Sequence, residues 1–472
     1  MSGSRANRPL TRVVALLGVL ACWLGFAVLT AAPASAHAEI LTSTPVDGSR
    51  LTTMPALVTL RLSENVGIQQ GSLQILDQRG ERVDDDHVVQ PGAEAEVIGI
   101  RVRPGLGDGS YRVNYAFVSA DSHPVHGGFA FVVGTGPLLN STGAVSGSSG
   151  TDPLVDVLFT GFRWASFGGA MLMGGLVFAL FCRTGARTDP RARRLVLVGC
   201  GVSAVAAIAA LLLQGPYGAG RGLAEVFSGP LLATTLGASY GKLLVLRAGV
   251  VLALAWLAKR LLVPTDDLPD RLRSRYENVA AVAGFVTLLT FSAAGHAITD
   301  SIPFVSISAD LCHFAALTVW LGGLSQLSLC LFRRRPEADL QQTLARFSPL
   351  AATAVGVVSV SGVVLGLLVV PSISALWTST YGVLLCLKLL GFAALLAVAN
   401  ASRKAVLRRT DTPTTEAAGA VGTLATVTPR VTPRMTPRVT PRVLRRAVAT
   451  ELAISTVVLL LAAILSSTAP PV

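Results

Sequence analysis

The chain has 472 residues, of which 51% are hydrophobic and only 14% are charged. A mean hydropathy of +0.59 excludes an ordinary soluble protein and indicates a polytopic membrane protein. The formal net charge of +12 comes from short basic loops between apolar runs, as the positive-inside rule produces, and does not indicate a nucleic-acid-binding surface.

Residues 1–36 predict a secretory signal peptide, because a basic start and an apolar run lead to the small-residue cleavage site Ala34-Ser35-Ala36. Cleavage there makes His37 the first residue of the mature protein. A terminal histidine offers both its α-amine and its imidazole to one metal ion, which closes a chelate ring. The alternative is lipidation of Cys22 in "VLAC", which would keep His37 internal. The apolar run continues beyond Cys22, which favours cleavage before His37.

Residues 37–135 predict an all-β domain outside the membrane. Short alternating segments separated by Gly, Pro and Asp are typical of a small antiparallel sandwich or barrel, and they lie at 56–63, 71–77, 95–102, 109–119 and 127–134. The domain contains no cysteine, so no disulfide is expected. The Gly/Ser-rich residues 136–152 predict a linker.

Residues 153–470 predict an all-α membrane domain of eight transmembrane helices. The apolar runs are each about 20 residues long and lie near 154–182, 195–214, 240–262, 278–297, 309–331, 348–370, 381–402 and 447–468. Every second loop is basic, which predicts a multi-pass plasma-membrane protein with its β domain and its C-terminus outside. The last basic loop, 403–446, contains the repeat "TPRVTPRMTPRVTPRV", whose prolines forbid a regular helix and favour a cytoplasmic linker.

The stretch "SADSHPVHGGFAFVV" (119–133) carries a candidate metal site. Asp121 and His123 are two residues apart, so in an extended chain both side chains point to one face. Together with the chelate of His37 they make an N,N,N,O set, which suits square-planar Cu(II). The alternative is a surface loop with ordinary polar residues.

These segments resemble the CopC family of periplasmic copper-binding proteins. The similar pieces are "HAEILTSTPVDGSRL" after the cleavage site, "RLSENV", and "SADSHPVHGGFAFVV", which is similar to the family signature S-x-D-x-H-x-V-x-G-x-x-x-F-x-V. The resemblance implies an Ig-like or cupredoxin-like sandwich that binds Cu(II) through His37, Asp121 and His123. Glu64 is implied as a weak ligand or as a partner of the ligands. Participation of the nearby His126 is left open.

Two more histidines lie in the apolar half of the chain. His296 ends the fourth run in "FSAAGHA", and His313 opens the fifth in "ADLCHFAALTVWLGGL", so both are predicted near the outer surface. Asp310 precedes His313 by three residues and shares its helix face. Because ionisable groups in spanning segments usually line an interior site, both histidines are candidates for accepting copper, with Asp310 orienting His313. A merely interfacial location is the alternative.

This half resembles the CopD family of inner-membrane copper proteins, in "SAAGHA", "DLCHFAALTVWLGGL", "TSTYGVLLCLKLLGFAALLAVAN" and "ELAISTVVLLLAAILSSTAP". The two resemblances imply a fused CopC–CopD protein that binds Cu(II) outside and passes copper, in an unspecified oxidation state, to or through the membrane domain.

The partners predicted from this interpretation are copper ion, the lipid bilayer and other periplasmic or cell-surface copper carriers. No nucleotide is expected, because Walker A and D-K-T-G-T sequences are absent, and no enzymatic activity is predicted. The alternative is a membrane redox protein with haem or copper bound by His296 and His313.

Overall fold

A computed structural model describes residues 40–63, 73–93, 96–118, 124–138, 152–183, 185–263, 269–294, 303–331, 337–370, 372–407, 441–466 and 468. The described chain forms a β-sandwich followed by a helical domain. The predicted fold class is therefore confirmed in both halves.

The sandwich is built from two four-stranded sheets. Its strands are β1 (Ile40–Thr44), β2 (Arg50–Leu51), β3 (Leu57–Leu62), β4 (Leu73–Leu76), β5 (Asp84–Val89), β6 (Val97–Val102), β7 (Gly109–Val118) and β8 (Pro124–Val133). The strand orders are β1-β3-β6-β5 and β2-β8-β7-β4. Alternate residues of β3, namely Val58, Leu60 and Leu62, are fully buried between the sheets, as the period of two in the sequence predicts.

The strand pairing defines two ends of the sandwich. β7 and β8 form a hairpin in which Val118 pairs with Pro124, and we call this the hairpin end. β1 starts opposite Leu62 of β3 and runs on toward β2, which pairs in parallel with the last residues of β8. The first residue of β1 therefore lies at the hairpin end, together with the end of β3.

The linker leaves the opposite end, which we call the linker end. After β8 the chain remains attached to the sandwich, because the Arg50 guanidinium donates to the carbonyl of Gly136 at 2.8 Å. The Ser110 hydroxyl donates to the carbonyl of Pro137. The linker predicted from residue 136 onward therefore begins with residues bound to the sandwich surface.

The helical domain contains α1 (Pro153–Phe181), α2 (Pro190–Ala219), α3 (Gly229–Gly237), α4 (Ser239–Leu261), α5 (Asp270–Ser292), α6 (Pro303–Leu331), α7 (Glu337–Val369), α8 (Ala375–Thr378), α9 (Thr380–Leu407) and α10 (Pro441–Leu465). Within the described residues, seven helices are long and apolar enough to cross a membrane: α1, α2, α4, α6, α7, α9 and α10. The chain is thus a multi-pass membrane protein.

The eighth predicted span is helical but is not confirmed as a membrane crossing. Its apolar run, 278–297, forms the later part of α5, whose first turns carry the charged sequence "DRLRSRYE". These charges lower the hydropathy of the described helix, and the outer part of the predicted run, from residue 295, lies outside the described residues. The short helices α3 and α8 were not predicted, because neither is long enough to produce a periodic signal.

The first two helices begin at aspartate caps. The Asp152 carboxylate accepts a hydrogen bond from the amide of Leu154 at 2.8 Å, and Pro153 is the first helical residue of α1. Asp189 caps α2 in the same way and also accepts a hydrogen bond from the buried Arg183 guanidinium at 2.9 Å. The tight connection between α1 and α2 is therefore held by charge-assisted hydrogen bonds.

Glycines let α1 pack closely on its neighbours. A β-carbon at Gly174 of α1 would collide with the carbonyl of Thr318 on α6, and one at Gly322 of α6 would meet the α1 backbone at 2.5 Å. Gly169 of α1 faces Gly199 of α2 in a similar crossing. Small residues at such crossings allow backbone approach, which is a main source of helix association in membranes.

Candidate metal sites

The predicted ligands of the outer domain lie outside the described residues. This applies to His37, Glu64, Asp121 and His123. His126 belongs to β8, opposite Ala116 of β7, and its side chain is likewise outside the description.

The described flanks of these ligands nevertheless meet at the hairpin end. His37 is three residues before Ile40, the start of β1, and Glu64 is two residues after Leu62, which pairs with Ile40. Asp121 and His123 belong to the connection between the paired residues Val118 and Pro124. The fold therefore brings the attachment points of all these segments to one end of the sandwich.

Aromatic side chains pack against each other on the β7–β8 hairpin. Phe117 is fully buried, and the Tyr115 ring stacks on it at 5.5 Å between centroids. The Tyr115 ring also covers Gly127, where a β-carbon would collide with it. Burial raises the pKa of the Tyr115 phenol, and the Asp47 carboxylate raises it further, so this hydroxyl stays protonated at neutral pH. The strands leading to the connection are thus fixed by tight packing.

The acidic run "VDDDHVV" has a structural function. The buried Asp84 carboxylate accepts the amide of Ile75 at 2.8 Å and the Arg82 guanidinium at 2.8 Å. The polar sequence around His87 favours a solvated loop, but this exposed residue lies in strand β5. No group of three or more His, Cys, Asp or Glu side chains in the described part of the chain is placed to hold a metal ion.

In the membrane domain, His313 of α6 contacts α7 directly. Its imidazole Nδ1 lies 3.0 Å from the hydroxyl oxygen of Ser361, which is fully buried. A β-carbon on Gly362 would lie 3.3 Å from Cε1 of the His313 ring. The imidazole is therefore held against α7 by its contact with Ser361 and by a hydrogen bond to the carbonyl of Val358.

Two charged side chains complete a polar cluster around this histidine. Asp310 and Lys388 are both partly buried, and the Lys388 ammonium interacts electrostatically with the Asp310 carboxylate and the His313 imidazole. We call Asp310, His313, Ser361 and Lys388 the polar cluster. Three helices, α6, α7 and α9, contribute to it, so the sequence-predicted pair Asp310 and His313 is joined by groups far away in the chain.

His296, the second predicted histidine of this half, lies outside the described residues. The helix that leads to it is anchored near the polar cluster. Arg247 of α4 donates to the hydroxyl and the carbonyl of Thr290 at 2.9 and 2.7 Å, and its guanidinium lies 3.7 Å from the centroid of the Phe291 ring. Phe291 stacks at 5.1 Å on Phe314, the neighbour of His313. The last turn of α5 is thereby connected to the helix that carries His313.

The methionines of α1 do not form a second site with each other. Met171 packs with the α6 and α7 side chains, whereas Met173 packs with those of α2 and α4. This agrees with their spacing, because residues two apart on a helix do not face each other.

Sequence reasoning did not assign Ser361 or Gly362 to the site. Neither has a signal of its own, since small residues are common in transmembrane helices. Lys388 did have a signal, as a charge within an apolar run. Such a charge indicates a helix contact or a snorkelling side chain, and nothing in the sequence connects it with His313.

Three family models match the chain. Residues 40–134 match the CopC domain, residues 154–302 match the copper resistance protein D-like N-terminal domain, and residues 341–465 match copper resistance protein D. Both families that the sequence resembles are thus matched independently, and in the predicted order.

Individual proteins are similar to the chain as well. The copper transport protein CutJ of Bacillus subtilis (strain 168) is 27% identical over 368 residues, with 75% of this chain and 65% of CutJ aligned. Copper resistance protein D of Pseudomonas syringae pv. tomato is 30% identical over 267 residues, with 52% of this chain and 82% of that protein aligned. The crystal structure of PcoC, a methionine-rich copper resistance protein from Escherichia coli, is matched at 30% identity over 21% of this chain and 100% of PcoC, with a TM-score of 0.19. The alignment spans slightly less than two thirds of the length of CutJ.

Proposed function

Since the chain belongs to the CopC–CopD copper resistance family and joins both domains in one polypeptide, we propose that it binds Cu(II) outside the plasma membrane and passes copper to or through its membrane domain. The observation that carries this proposal is the fusion itself. A domain matching CopC precedes a domain matching copper resistance protein D, so one chain combines a metal-binding module with membrane-spanning helices.

The outer site of this proposal consists of the amine and imidazole of His37 with the side chains of Asp121 and His123, and Glu64 beside them. The position of Ile40 and of the Val118–Pro124 pair at the hairpin end supports it, because the segments bearing these ligands all start there. Affinity should fall in acid, since the amine and both imidazoles must lose protons before they can bind copper.

The site at which copper enters the membrane domain consists, in this proposal, of His296 and His313, with Asp310 beside them. The polar cluster supports it, because a group of ionisable side chains in apolar helices usually marks a substrate pathway. The proposed orientation places the outer domain, both histidines and the C-terminus on the outer side. The names of the relatives are those of transport and resistance proteins, which gives the redox alternative no support.

Accumulation of radioactive copper in cells with and without the chain tests the function. We expect His313→Gln, at normal expression, to remove most of the accumulation that the chain provides, while Cu(II) binding by the outer domain stays unchanged. His87→Ala, an exposed histidine of the sandwich, is the matched control and should behave like the parent. Parent-like accumulation by His313→Gln would refute the membrane site, and equal accumulation with and without the chain would refute transport.

A further inference from the structure

The hydrogen bonds around Ser361 determine which ring nitrogen of His313 carries a proton. A serine hydroxyl has one hydrogen to donate and can accept at its oxygen. The Ser361 hydroxyl donates to the carbonyl of Val357 at 2.6 Å, within its own helix. With that hydrogen on the shorter contact, Nδ1–H of the imidazole is the donor in the 3.0 Å contact to Ser361, and the imidazole also hydrogen-bonds the carbonyl of Val358 on the same helix.

We propose that Ser361 is a positioning residue that holds His313 in the Nδ1-protonated tautomer and leaves the lone pair of Nε2 free for copper. This inference deepens the proposed function and rests on His313 as the copper-accepting residue. It also changes the sequence-based assignment, in which Asp310 alone had the orienting role.

The chemistry of metal-bound histidines supports this arrangement. A histidine that binds metal through one nitrogen generally donates its other N–H to an oxygen of the protein, which fixes both the tautomer and the ring orientation. Neutral imidazole nitrogen is also a suitable ligand for copper. Ser361 supplies that oxygen, from a helix other than the one that carries the ligand.

Gly362 leaves space for the ring beside α7. Its missing β-carbon leaves room for the imidazole, because such a carbon would lie 3.3 Å from Cε1 and 3.7 Å from Nδ1. Nδ1 thus faces the α7 backbone and the Ser361 hydroxyl, while Nε2 is on the opposite edge of the five-membered ring. The hydrogen bonds to α7 therefore fix the ring orientation, and the absence of a side chain at Gly362 accommodates it.

The tautomer can be measured directly in the full-length protein. Nitrogen-15 NMR of histidine-labelled protein in lipid nanodiscs distinguishes protonated from unprotonated ring nitrogens, and the spectrum of His313→Gln identifies the His313 signals among those of the six histidines. We expect a protonated Nδ1 and an unprotonated Nε2 at neutral pH. A protonated Nε2 with a bare Nδ1 would overturn the proposal, whatever the copper data show.

Variants of Ser361 test whether the hydrogen bond matters for copper. Loss of such a supporting hydrogen bond typically lowers metal affinity by 10–100-fold, so we expect Ser361→Ala to require at least about tenfold more external copper for half-maximal accumulation. Ser361→Thr keeps the hydroxyl and should restore the parent value. Ser359→Ala is the matched control, because the Ser359 hydroxyl also donates to a carbonyl four residues earlier, at 2.9 Å, and it should behave like the parent.

The outcomes separate this inference from the proposed function. Parent-like copper dependence of Ser361→Ala, in cells where His313→Gln abolishes accumulation, would overturn the positioning role alone. Parent-like accumulation by His313→Gln would refute the copper-accepting site, while the NMR spectrum would still decide the tautomer.

Discussion

Arg247 lies in an apolar helix with only 5% of its surface exposed, and its contacts explain how it is tolerated there. The guanidinium donates to both oxygens of Thr290 and covers the Phe291 ring. The Thr290 carbonyl belongs to the last turn of α5, where carbonyl groups lack partners within the helix. Arg247 therefore closes the C-terminal end of α5 against α4.

We expect Arg247→Met to destabilise the membrane domain by about 2–3 kcal/mol, because charge-assisted hydrogen bonds are lost while the volume is retained. Thermal unfolding of the purified protein in detergent would measure this. Lys242→Met, a change of an exposed cation on the same helix, should leave the melting temperature unchanged. Equal melting temperatures of both variants and the parent would show that Arg247 does not close the end of α5.

The chelate at the mature N-terminus leads to a second prediction at this scale. One additional alanine before His37 moves the α-amine away from the imidazole, so we expect residues 37–135 with this extension to bind Cu(II) at least tenfold more weakly, with an unchanged fold. Titration of the two forms with Cu(II), together with circular dichroism, would show this. Equal affinities, or a mature protein that N-terminal sequencing shows to start elsewhere, would contradict the chelate.

The helix crossings of α1 depend on glycine, which makes them sensitive to any side chain. We expect Gly322→Leu to separate α1 from α6 and to destabilise the protein by more than about 1–3 kcal/mol, the usual cost of overpacking, since backbone atoms and not movable side chains are in the way. Gly168→Leu on α1 is the control, because open space surrounds that glycine. The amount of folded protein that size-exclusion chromatography recovers after heating would distinguish the two variants.

Elements with a strong hydrophobic periodicity could be located from the sequence, and those that depend on distant partners in the chain could not. The alternation of apolar and polar residues in 56–63 predicted β3. The two residues of β2 are too few to show such a pattern, and they form a strand because they pair with β8. Apolar length predicted α6 and α7, but not that Ser361 would meet His313, because helix rotation is set by packing. The acidic run containing His87 indicated a loop. Strand β5 forms there because the buried Asp84 carboxylate accepts hydrogen bonds from the amide of Ile75 and the guanidinium of Arg82.

At the scale of the whole molecule, the two proposed copper sites belong to units that differ in how they are held together. The sandwich has a continuous core between its sheets, whereas the membrane domain depends on close helix crossings and on a few buried polar contacts. Resemblance to two families predicted this division from the sequence. The polar cluster required the structure, because its members come from three helices separated by dozens of residues.

The linker leaves the sandwich at the end opposite the hairpin end, and this sets the geometry of any copper transfer within the chain. A ten-residue strand such as β8 spans about 33 Å, so the proposed Cu(II) site is roughly that far from its own attachment point. Residues 139–151 extend by at most about 45 Å. Tethering within such a radius typically gives an effective concentration in the millimolar range. Transfer from the outer domain would then be a first-order step, independent of how much copper carrier the cell exports.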